Sequence, residues 1–106
     1  MMKRIVLLSL AASLIMAYAF ALGAAGGDVE KGKAVYEAQK CKMCHSIAGV
    51  GNKKSPLDGV AGKLSAEDIK KWIVDPKSMK KDTVMKAYKL SDADLDNLMA
   101  YMLSLK

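Results

Sequence analysis

Both cysteines of this chain and its only histidine stand together, in Cys41-Lys42-Met43-Cys44-His45. On a helical turn, residues three and four apart lie on one side. Two thiols so placed reach the two vinyl groups of one porphyrin, and the next residue sets an imidazole over its iron. C-x-x-C-H is the attachment signal of a c-type haem. Other uses of the same residues fit less well. A thioredoxin-type dithiol needs a βαβ setting that this chain is too short and too helical to provide. A structural zinc needs four ligands, and two Cys with one His fall short. A disulfide across the pair closes a tiny loop and stabilises little.

Gly49-Val50-Gly51-Asn52-Lys53-Lys54-Ser55 faintly resembles a phosphate-binding loop. It lacks the glycine before Lys54, and no strand precedes it, so it reads as an ordinary loop.

The elements that must carry the motif are short helices. Asp28 is a good N-cap, with Glu30 in the first turn, for a helix running to about Lys40 and into the cysteine pair. Residues 48–62 hold four glycines with Asn52, Ser55 and Pro56 and read as a loop. Ser65-Ala66-Glu67-Asp68 opens a second helix in the manner of a capping box. Ile69, Trp72 and Ile73 form its apolar side, and Asp75-Pro76 ends it. Residues 77–90 are a lysine-rich loop. Ser91 caps a third helix whose stripe is Leu95, Leu98, Met99, Met102 and Leu105. The class is all-α, a single domain of three main helices; 106 residues exclude a Rossmann domain or a TIM barrel.

Residues 1–25 read as an address. Met1-Met2-Lys3-Arg4 is a basic start, Ile5 to Met16 is an uncharged apolar run, and small residues follow. This fits a secretory signal peptide cleaved between Ala19 and Ala25, leaving 26–106 exported to a bacterial periplasm. An uncleaved leader would instead anchor the chain, since its apolar run nearly spans a bilayer. Without the leader, 15 lysines face 11 acids, a net charge of +4 with no arginine. Nucleic-acid readers lean on arginine, so that class is weak. Scattered lysines suit a solvated surface or a diffuse docking face.

With these residues in hand, the chain resembles the small class I cytochrome c family over nearly all of 26–106. The likeness rests on Gly27 to Lys33, the haem motif, Pro56-Leu57-Asp58-Gly59, Trp72-Ile73-Val74-Asp75-Pro76, Met85-Lys86-Ala87-Tyr88, and Leu98 with Tyr101. It departs in three places. Lys86 stands where the family has proline, and Ser55 where it has glycine. Tyr36 lies five residues before Cys41, where many relatives have four. One extra residue turns a helix by about 100°, which bears on whether Gly32 and Tyr36 make the helix crossing.

The resemblance implies a fold of three main helices wrapped around one haem c, covalent through Cys41 and Cys44. His45 is then one axial ligand of the iron. Met79 and Met85 both sit in the loop after Pro76 that could cover the other haem face; the family pattern selects Met85. It also implies that His45 donates its second ring N–H to the Pro56 carbonyl and that Trp72 packs near the haem. A thioether ligand beside histidine suits electron transfer, and two filled axial positions leave no site for substrate. The expected function is a monomeric one-electron carrier, not an enzyme. Its partners would be redox proteins with an acidic docking face, met by Lys42, Lys53, Lys54, Lys77, Lys80, Lys81, Lys86 and Lys89. The competing reading is a haem-based sensor or ligand-binding module with a labile Met85 bond.

Overall fold

Three side-chain caps start the three longer helices. Asp28 Oδ1 accepts from the Lys31 amide at 2.8 Å and opens α1 (Val29–Ala38). The computed structural model describes residues 26–106, so the expected leader at 1–25 lies outside the described residues. A four-residue helix, α2 (Val60–Lys63), precedes the second cap. Ser65 Oγ accepts from the Asp68 amide at 3.1 Å and opens α3 (Ala66–Val74). Pro76 then begins α4 (Pro76–Met79) at once, because its missing N–H and fixed φ suit a first helical position. Ser91 Oγ, accepting from the Asp94 amide at 3.1 Å, opens α5 (Asp92–Leu103). No helix among the described residues is long and apolar enough to cross a membrane.

The three longer helices match the sequence reading, while both expected loops contain structure. Residues 48–62 hold the turn and second strand, β2 (Val50–Gly51), of a small antiparallel hairpin whose first strand is β1 (Ser46–Ile47), and the start of α2. Ala48 and Gly49 between the strands both have positive φ, 52° and 80°. That is the pattern of a two-residue hairpin turn whose twist matches its strands. The Ala48 amide donates to Asp58 Oδ1 at 2.8 Å, which helps hold a non-glycine residue in that conformation.

The core forms where α1 crosses α5. A Cβ on Gly32 would run into the Asn97 carbonyl and the Tyr101 side chain, so only glycine lets the two backbones approach this closely. Asn97 Oδ1 also accepts from the Asp28 amide at 2.9 Å, joining the start of α1 to α5. One turn on, the Tyr36 and Tyr101 rings meet edge to face, with centroids 5.6 Å apart. Val35, Tyr36, Val60, Ile69, Ile73, Leu98 and Met102 make up the buried cluster. Leu95, Met99 and Leu105 of the expected stripe are half-buried against it.

Gly32 and Tyr36 therefore do make the crossing, despite the extra residue before Cys41. The first helix stops at Ala38 rather than Lys40, and Lys40 takes a left-handed conformation with φ 57°. The added residue is taken up in this break, outside the helix, so α1 keeps its face toward α5.

Tyr36 is buried, and its hydroxyl has no hydrogen-bond partner among the described residues. Burial, the largest cause, pushes its pKa up to about 12 from 10. The folded state thus holds the Tyr36 proton where the unfolded chain has lost it. The stability this contributes is complete below pH 10 and is lost as pH rises toward 12. Thermal melts of wild type and Tyr36→Phe should run parallel below pH 10 and diverge above it, wild type losing on the order of 1 kcal/mol more. Parallel curves throughout would show that Tyr36 titrates alike in both states.

Candidate haem-attachment site

The motif stands on a short 3-10 turn, Cys41–Met43, directly after the left-handed Lys40. The Cys41 carbonyl accepts from the Cys44 amide at 3.1 Å and the His45 amide at 3.0 Å, winding all three functional residues around one turn. Cys41 is half-buried against the core and Cys44 is exposed; neither is in a disulfide. Burial pushes the Cys41 thiol up from its ordinary value. A backbone hydrogen bond and the Lys86 ammonium act the other way.

His45 is half-buried, and its Nδ1 lies 3.0 Å from the Ser55 carbonyl. A carbonyl only accepts, so Nδ1 carries the proton and Nε2 keeps its lone pair for a metal. The expected acceptor was the Pro56 carbonyl; the structure uses the carbonyl one residue earlier. The reason is strand alternation. Ser46 bridges Pro56 in parallel, taking the Ser55 carbonyl on its amide at 3.3 Å and giving its own carbonyl to the Leu57 amide at 2.8 Å. Groups at 55 and 57 therefore face the motif, and the Pro56 carbonyl between them faces away. Pro56 itself is exposed.

Residues 85–88 approach the motif from another direction. Thr83 Oγ1 accepts from the Met85 amide at 3.2 Å, and the Tyr88 amide donates to the Ile73 carbonyl at 2.9 Å, tying this segment to α3. Lys86 sits 5.1 Å from the centroid of the Tyr88 ring. Tyr88 packs against the core; burial raises its pKa, and the Cys41 and Cys44 charges add to the rise. Cys41 and Tyr88 thus pack against the same core cluster. Met85 and Met79 are both half-buried, so burial does not choose between them. Trp72 is half-buried on α3, between the buried Ile69 and Ile73.

Sequence reading missed Gly51 and Asn52. Asn52 hydrogen-bonds the carbonyls of Lys42, Met43 and His45, and a Cβ on Gly51 would strike the His45 carbonyl. The signal available was a glycine-asparagine pair soon after the motif, which had been read as part of a loop. No three His, Cys, Asp or Glu side chains converge to hold a metal ion among the described residues. The donor set is otherwise two unlinked thiols, one imidazole with a free Nε2, and the half-buried thioethers of Met79, at the end of α4, and Met85. These residues fit a covalently held haem better than a tetrahedral ion.

Comparison with known proteins agrees. Over 86 residues the chain is 36% identical to cytochrome c oxidase subunit 2 of Alkalihalophilus pseudofirmus, covering 72% of this chain and 25% of that protein. The chain thus spans about a quarter of the length of the curated relative it matches. A family model described as cytochrome c matches residues 29–106. With the motif, its ordered turn and the crossed helices in place, this chain belongs to the cytochrome c family.

Proposed function

We propose that the protein is a monomeric, exported one-electron carrier, with residues 1–25 as a signal peptide and 26–106 as the functional domain of the periplasm. Its cofactor is one haem c held through Cys41 and Cys44, whose iron takes up and gives back a single electron when bound. The observation that carries this reading is the His45 tautomer: Nδ1 is engaged by Ser55, and Nε2 is free on the turn that bears both thiols. His45 would hold the haem iron through Nε2. Trp72 and the half-buried Leu57, Leu64 and Tyr88 supply apolar surface around the ring.

Met85 would supply a second ligand to the iron, as the family resemblance selects it; Tyr88, three residues on, packs with Cys41 against the same core. Held by both His45 and Met85, the iron would have no open coordination site for a substrate, which suits a carrier rather than an enzyme. Met85→Ala should free the sixth position, lower the reduction potential and allow the ferrous protein to bind carbon monoxide. Met79→Ala should do none of these. The reverse pattern would assign Met79, and carbon monoxide binding by the wild type would favour the sensor reading.

Partners are redox proteins with an acidic docking face. The name of the relative, an oxidase subunit, supports an oxidase as one electron acceptor. Lys53, Lys54, Lys77, Lys80, Lys81, Lys86 and Lys89 are exposed, while Lys42 is partly neutralised by Glu37 at 3.3 Å. Exposed Met43, next to Lys42 in the chain, adds apolar contact surface. Screening shortens the reach of charge from about 30 Å at 0.01 M salt to about 3 Å at 1 M. The bimolecular electron-transfer rate with an acidic partner should fall about 10-fold or more over that range. Lys80→Glu with Lys81→Glu should slow it at low salt. A flat salt profile, or an unchanged rate in the double variant, removes these lysines from the docking face.

A further inference from the structure

Three carbonyls of the haem motif find their partner outside the turn. The Cys41 carbonyl is used within the turn, by the amides of Cys44 and His45. Those of Lys42, Met43 and His45 all turn to a single residue, Asn52. Its amide N–H is shared between the Lys42 carbonyl at 2.9 Å and the His45 carbonyl at 3.0 Å. Its Nδ2 donates to the Met43 carbonyl at 3.1 Å. Its Oδ1 accepts from the Lys54 amide at 3.0 Å. Lys54 N–H can only donate and Met43 O can only accept, so both neighbours fix the same orientation of the carboxamide.

Gly51 makes this approach possible. Its φ is 109°, and a Cβ there would strike the His45 carbonyl and crowd Lys42. The hairpin backbone can therefore lie directly on the motif, with the half-buried Asn52 side chain against the peptide that follows Met43.

We propose that Asn52 is the positioning residue for the axial histidine: its carboxamide fixes the motif backbone from which His45 projects, while Ser55 holds the ring. The proposal rests on the haem reading above. Few side chains can replace a carboxamide here. Aspartate accepts from Lys54 but cannot donate to Met43, and it sets a negative charge beside a carbonyl. Serine can also accept from a backbone amide two residues on, but it is too short to reach Met43 as well. Both Asn52→Asp and Asn52→Ser thus keep the local turn and delete the donation to the motif.

Each variant would be made as the full chain with haem attached, alongside Val50→Ala, a change at an exposed position of β2, two residues before Asn52. The readout is the pattern of haem-methyl proton shifts in the ferric protein, which follows the plane of the axial imidazole, together with the melting temperature. Asn52→Asp and Asn52→Ser should alter the order or spread of the methyl shifts; Val50→Ala should keep the wild-type pattern. A wild-type pattern in both Asn52 variants, even with lowered melting temperatures, would reduce Asn52 to a loop cap and overturn the proposal. Absence of covalent haem from the wild type would instead overturn the functional reading on which it rests.

Discussion

The Ser55 carbonyl accepts two hydrogen bonds from adjacent residues, one from the Ser46 amide and one from the His45 ring. This shared acceptor joins the motif to the segment that follows the hairpin. It also determines which imidazole nitrogen can bind a metal. Losing it would free the ring to rotate and to exchange tautomers, and the two thiols would no longer stand in a defined relation to Nε2. Other features of the fold keep this contact in place. The Ser46–Pro56 bridge aligns the carbonyl, the hairpin brings Asn52 onto the turn, and the α1–α5 crossing anchors the chain just before Cys41.

That crossing depends on close backbone contact more than on a large core. Gly32 admits the Asn97 carbonyl, and the Tyr36–Tyr101 pair closes the next turn. The small number of buried side chains is in keeping with a domain of this size, which cannot bury most of its surface and often relies on a bound group for stability. The Tyr36 hydroxyl, buried with no partner among the described residues, is a polar cost accepted within this contact.

The attachment motif was legible because covalent chemistry fixes residue type and spacing. The three caps were legible because they are local: Asp28, Ser65 and Ser91 each satisfy an amide three residues on. The rest depended on backbone states and distant partners. Nothing in Gln39-Lys40 announces that Lys40 turns left-handed and takes up the extra residue. Ala48 is not a customary residue for positive φ, so the hairpin was hidden in a stretch read as loop. The ring acceptor was assigned one residue late because strand alternation around Pro56 appears only once the bridge to Ser46 is formed. Asn52 was missed because its partners in the motif lie seven to ten residues back in the chain.

The most direct test of the account asks whether Cys41 and Cys44 are consumed by haem. Protein produced with the haem-attachment machinery would be extracted with acid–acetone, run on a denaturing gel stained for haem, and titrated for free thiols. The haem should stay with the chain and no thiol should react. Haem released into the solvent, or two titratable thiols in the purified protein, would contradict it.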